Sequence, residues 1–142
     1  MMTNPLKQTK SKKLRGSALR MEFRYLANTI DLNAHGSLHA GSLMRWIVEA
    51  AAMHAKMFVG LECVATHIGR VDFVDKVNKG EIIRIETIVD DFGETSFTFR
   101  VYVKDELTGR RIASIDKIVY DAVEGCGTPA KHGMKISDIY GI

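Results

Sequence analysis

Long apolar runs are what this 142-residue chain most conspicuously lacks. No stretch approaches the roughly 20 apolar residues that cross a bilayer, and no hydrophobic signal-peptide core follows the basic N-terminus. Cysteine is scarce: Cys63 and Cys126 form no CxxC pair and lie far apart. The expectation is a reduced, cytoplasmic protein in which both are structural. There is no GxSxG elbow, no GxGxxG and no P-loop, which argues against α/β hydrolases, dinucleotide enzymes and NTPases. His35 and His39 stand four residues apart without a third candidate ligand nearby, and a metal site needs three or four, so none is expected.

What is present is ordinary globular material, 46% hydrophobic and 26% charged. The length suits one domain with a real core. The net charge of +3 is uneven. Lys7, Lys10, Lys12, Lys13, Arg15 and Arg20 put six basic residues and no acid in the first twenty positions, leaving 14 basic against 17 acidic residues beyond. Residues 1–20 therefore read as a basic flexible tail. A solvated extension, an arm for nucleic acid or acidic lipid, and a weak targeting leader are its alternatives. The body shows no basic face interleaved with aromatics, so nucleic-acid binding by the body is not expected.

Residues 21–123 read as an α+β domain, and 124–142 as a C-terminal extension with Ile136, Ile139 and Tyr140 available to dock. Met21–Ile30 reads as a strand and Asp31–Ala40 as a loop. From about Leu38 to Phe58, Leu43, Ile47, Ala50 or Ala51, His54 and Phe58 recur at helical steps. That helix is apolar on nearly every side, which predicts burial by its surroundings, and Gly60 is placed to stop it. Four strand candidates follow: Val64–Asp75, Glu81–Asp91, Thr95–Lys104 and Arg110–Ala122, expected as an antiparallel meander. The clearest alternation sets Thr95, Phe97, Phe99, Val101 and Val103 against Ser96, Thr98, Arg100, Tyr102 and Lys104. One helix covers one face of such a sheet, so a second copy of the chain is expected against what remains.

The junction Asp31–Ala52, DLNAHGSLHAGSLMRWIVEAAA, carries the chemistry. A loop running into a helix N-terminus presents free N–H groups to a developing negative charge. Glu49 is the lone ionisable residue between Arg45 and His54. Buried, it would have its pKa raised toward general-base work; the other reading is a structural pair with Arg45, one turn back. Asn33 either orients a ligand or bonds its own turn. Gly41 permits close approach of a substrate or tight helix packing.

The element order and this segment together resemble the hotdog-fold acyl-CoA thioesterases, in the branch of bacterial short-chain and mammalian brain-type acyl-CoA hydrolases. The family pattern D-x-N-x-x-G-x-[VIL]-H-G-G is read here as Asp31, Asn33, Gly36, Leu38, His39, Ala40 and Gly41. The helix continues the pattern through Leu43, Arg45, Ile47, Glu49, Ala50 and Ala51, and Arg70–Glu81 and Gly93–Phe97 are similar to later family strands. The resemblance implies a five-stranded sheet wrapped around a long helix, hydrolysis of an acyl-CoA to free acid and CoA, and no cofactor beyond the CoA of the substrate. It implies a homodimer, with tetramer or hexamer open. It assigns Gly41 N–H to the thioester oxygen and Asn33 to the attacking water across the dimer interface. His39 is read as a substrate-binding residue that shapes the loop, and Thr95 and Ser96 either bind the CoA arm of the substrate or simply open a strand. Arg70, Lys76, Lys79, Arg110 and Arg111 are candidates for the CoA phosphates. Two departures stand out. Ala40 replaces the first glycine of the His-Gly-Gly element, and Val48 falls where the family has its acid, with Glu49 one position on. One residue turns a helical side chain by about 100°. The alternative reading is therefore an acyl-CoA-binding sensor or regulatory subunit without hydrolysis. A dehydratase of the same fold is a weaker option, because its acid–histidine pairing has no counterpart in this helix.

Overall fold

A computed structural model of the chain describes residues 19–124 and 131. The rest of the basic tail and of the C-terminal extension, including Cys126, Ile136, Ile139 and Tyr140, lies outside the described residues. The elements are β1 (Arg20–Leu26), a 3-10 turn (Thr29–Asp31), α1 (Ala40–Val59), β2 (Glu62–Ile68), β3 (Val71–Phe73), β4 (Ile82–Phe92), β5 (Ser96–Asp105) and β6 (Arg111–Val123). β1 is shorter than its β-forming sequence suggested. Asn28 N–H donates to the Asp31 carboxylate at 3.2 Å and pulls the chain into the 3-10 turn.

The sheet runs β1-β4-β5-β6-β2, with β3 also on β6 and every pairing antiparallel. β4, β5 and β6 form the expected meander. Val64–Asp75 does not continue it, because the segment breaks into two strands that both return to β6. Gly69 marks the break: a side chain there would collide with the Asp116 carboxylate, which accepts the Arg70 N–H at 2.7 Å. A glycine inside a strand pattern is the usual sign of such an interruption.

α1 lies in the concave face of the sheet. Leu43, Ile47, Ala50, Ala51, Ala55 and Phe58 point into it and meet Ile83, Ile85, Phe97, Phe99, Val101 and Ile118. Each large apolar side chain so buried is worth roughly 1.5–3 kcal/mol. The alanines matter as much, since small residues let helix and sheet approach closely. The alternation expected for β5 holds from Phe97 onward, with Phe97, Phe99, Val101 and Val103 buried, while Thr95 precedes the strand and is half-buried. Two polar ties fix the helix against the sheet. The Tyr120 hydroxyl donates to the Val48 carbonyl at 2.7 Å, and buried His54 shares a 2.7 Å hydrogen bond with Thr87. Gly60, at φ 71°, ends the helix by donating to the Lys56 carbonyl.

Burial of the helix on every side is not observed. Arg45, Glu49, Met53, Lys56 and Met57 recur at three- and four-residue steps and form an exposed stripe. The sheet is curved enough to cup only part of the cylinder. None of the described helices is long and apolar enough to cross a membrane.

Candidate functional site at the start of the buried helix

Asp31–His39 is held from both sides before the helix begins. Leu38 N–H donates to the Val77 carbonyl at 2.7 Å and His39 N–H to the Asp31 carbonyl at 2.8 Å. Asp31 is buried, and its side chain meets Arg45 Nη2 at 3.7 Å. Arg45 therefore pairs with the loop and not with Glu49. Asn33 is the staple of the loop. Its Oδ1 accepts from the His35 and Ser37 N–H groups at 2.9 and 3.2 Å, and its Nδ2 donates to Ser37 Oγ at 3.1 Å. Gly36, at φ 81°, makes the tight return that this turn demands. An amide carries two N–H hydrogens, so one on Asn33 Nδ2 is left for another acceptor.

Between this loop and the 73–77 segment lies a groove of about 500 Å³. Asn33, Ser37, Ala40 and Leu43 form one wall. Phe73, Val74, Lys76 and Ile112 form the other, with Phe73 and Val74 exposed at the surface. The groove thus has an apolar body, a few polar groups and a helix N-terminus at one end, which is the usual make-up of a small-molecule site.

His39 is the N-cap of α1, and its Nδ1 accepts the Gly41 N–H at 2.8 Å. The amide that the resemblance assigns to a thioester oxygen is therefore engaged by the preceding imidazole. Since Nδ1 accepts, the ring proton of the neutral imidazole sits on Nε2.

Glu49 is exposed, contrary to the expectation of a buried acid, and it does not line the groove. It stands nine residues past Ala40, about 13 Å along the helix at 1.5 Å per residue. Its neighbourhood is β1. Tyr25 stacks on Trp46 with centroids 5.1 Å apart and planes within 9°. The Tyr25 hydroxyl is buried without a hydrogen-bond partner among the described residues, and burial together with the nearby Glu49 charge pushes its pKa up. Val48, where the resemblance places an acid, is half-buried.

Thr95 and Ser96 are not at this groove. Thr95 precedes β5 and Ser96 opens it; Ser96 adjoins Phe97, which packs edge-on against Phe58 at 5.3 Å, near the other end of the helix. Thr95 Oγ1 donates to Asp121 at 3.3 Å, a strand-end contact. Of the basic candidates, Arg110 is held by Asp75 and by Glu81 at 3.3 and 2.6 Å, and Arg70 by Asp72 at 3.1 Å. Lys76 lines the groove and has no acidic partner among the described residues. No group of three potential metal-ligating side chains occurs among them. Ser37, on the groove wall, and Tyr120, which ties the Val48 carbonyl to the sheet, are residues that the sequence did not single out. Tyr120 was visible there only as one more aromatic in β6.

Comparison with known proteins adds four findings. A family model described as the thioesterase superfamily matches residues 35–112. Mouse acetyl-coenzyme A thioesterase is 32% identical over 79 residues, covering 54% of this chain and 14% of that protein. An uncharacterized acyl-CoA thioester hydrolase of Bacillus subtilis is 28% identical over 103 residues, 70% of this chain and 60% of that one. The chain thus spans less than two thirds of these relatives. A solved apo-hexameric acyl-CoA thioesterase superposes with a TM-score of 0.73 at 26% identity, covering 82% of this chain and 77% of that one. The shared architecture is the hotdog fold of one helix wrapped by a curled antiparallel sheet.

Proposed function

Since this chain belongs to the thioesterase superfamily, we propose that it hydrolyses acyl-CoA thioesters to a free acid and CoA. The groove at the start of α1 is the observation that carries the reading: it sets apolar walls beside a helix N-terminus. The acyl chain lies against Leu43, Val74 and Ile112. Water adds to the thioester carbonyl, the C–S bond breaks, and CoA leaves with the proton on its sulfur. The reaction uses no cofactor, because CoA arrives within the substrate. Gly41 N–H and the helix dipole stabilise the oxyanion, a donor whose loss typically costs about 10²–10³ in rate. Lys76 is the cation best placed for the CoA phosphates.

Glu49 cannot reach the groove of its own chain, so its work as general base requires a homo-oligomer. One copy then brings its exposed helix stripe to the groove of another, where Asn33 aligns the water. The hexameric state of a relative with the same fold supports assembly beyond a monomer. We place the protein in the cytoplasm, with Cys63 a free thiol.

Free-thiol release from acyl-CoAs of graded length tests this. Turnover is expected, and Glu49→Gln should lower kcat by about 10²-fold or more with KM little changed, the ordinary worth of a general base. Unchanged kcat removes Glu49 from the mechanism. The second reading, an acyl-CoA-binding protein without hydrolysis, is favoured by Val48 at the family's acid position. Tight binding of CoA esters with no thiol release would establish it.

A further inference from the structure

The geometry points to His39 as a gate on the Gly41 amide: its imidazole holds the donor that a thioester oxygen needs, and must swing off before that oxygen binds. This rests on the hydrolase reading above. Helix N-caps are usually Ser, Thr, Asp or Asn, whose short side chains accept from the second or third helical N–H. Here the cap is an imidazole reaching Gly41 N–H at 2.8 Å. The ring lies so close over that residue that a Cβ at position 41 would sit 3.0 Å from His39 Nδ1 and 3.1 Å from Cε1. Glycine at 41 is thus what lets the ring lie across the amide. The same glycine would let a substrate approach it. Ring and substrate compete for one place.

The backbone of His39 is fixed, with its N–H on the Asp31 carbonyl at 2.8 Å and its carbonyl accepting the Leu43 N–H at 3.1 Å. The side chain is exposed, so rotation about χ1 carries the ring into solvent without disturbing the helix. Ala40, next in sequence, lines the groove, which places the released N–H one residue from its wall. The Gly41 donor is satisfied by imidazole before binding and by the carbonyl after, and is open between the two. Apparent affinity is the intrinsic affinity multiplied by the fraction of time the donor is open.

Two substitutions at this position separate the gate from a structural cap and from a catalytic histidine. His39→Ala removes the competitor. It should raise kcat/KM by about two- to ten-fold, the range for a hydrogen bond of ordinary net strength, while lowering the melting temperature. His39→Asp supplies a favoured N-cap acceptor that is also an anion at the oxyanion position. It should keep or raise the melting temperature and cut kcat/KM more than tenfold. A merely structural role makes activity follow stability in both variants, and a catalytic base makes both slower than wild type; either pattern overturns the gate. Activity appearing in His39→Ala from a silent wild type supports it outright. If wild type hydrolyses acyl-CoA and His39→Ala is no faster, only the gate fails. If no variant releases CoA from any ester, the hydrolase reading fails and takes the gate with it.

Discussion

A single hydroxyl fixes how the helix presents position 48 and its neighbours. Tyr120 is buried in β6, flanked by Phe99 at 6.0 Å, and donates to the Val48 carbonyl at 2.7 Å. Burial, with a smaller contribution from Cys63, pushes its pKa up to about 12, so it remains a donor across the physiological range. In Tyr120→Phe the ring packing survives and the carbonyl keeps only its helical partner. We expect a loss of about 0.5–1.5 kcal/mol in urea unfolding, the net worth of one such bond. A smaller loss would mean that the hydroxyl contributes nothing beyond its ring. Cys63 illustrates the opposite use of burial: its thiol is pushed up to about 11, chiefly by desolvation, and is a poor nucleophile at neutral pH.

Three neighbouring strands are joined by charge as well as by their ladders. Glu86 of β4 is only 3% exposed at its side chain and meets Arg20 of β1 at 2.8 Å, Arg84 at 3.1 Å and Lys104 of β5 at 3.6 Å. Burial alone would raise its pKa, but the Arg20 hydrogen bond and the surrounding positive charges outweigh this and hold it below the ordinary 4.5. A depressed carboxyl stabilises the fold fully above the unfolded value, and that contribution fades as pH falls through the folded one. Glu86→Gln should therefore cost about 1–3 kcal/mol at pH 7. The gap to wild type should narrow in urea titrations repeated below pH 4. A gap independent of pH would mean that shape, not charge, matters at this position.

Elements of this kind were partly legible. Phe97-x-Phe99-x-Val101-x-Val103 announced its buried face because strand periodicity is local, and Gly60 announced the helix end for the same reason. The pairing of β2 and β3 with β6 was not legible, because which strand returns to which edge depends on contacts about fifty residues apart. The site divides in the same way. Its loop, with Asn33, His39 and Gly41, stood out in sequence. The exposure of Glu49 did not, because an apolar helix says nothing about which stripe the sheet leaves uncovered. Thr95 and Ser96 followed the family pattern in sequence, yet within one chain they lie at the far end of the helix.

Taken whole, the molecule is unfinished along one edge. Among the described residues β2 is the last strand on its side of the sheet, bonded to β6 alone, and it exposes Val64 and Ile68 at 46% and 40%. Met53 and Met57 of the helix stripe are exposed at 42% and 43%, on the element that packs beside β2. An unpaired edge with apolar side chains next to an apolar helix stripe is a template for another chain. A second copy bonded there would extend the sheet, cover the methionines and lie along the helix stripe that carries Glu49. Val64→Lys with Ile68→Lys places charge on that edge at little cost to the core. Light scattering should then give the mass of a single chain, with the circular dichroism of the wild type retained. Turnover should fall in step with dissociation, since each groove would lack its acid. A folded monomer with undiminished turnover would show that one chain contains the whole site, and Glu49 would lose its role. An assembly of unchanged mass would move the interface to another face.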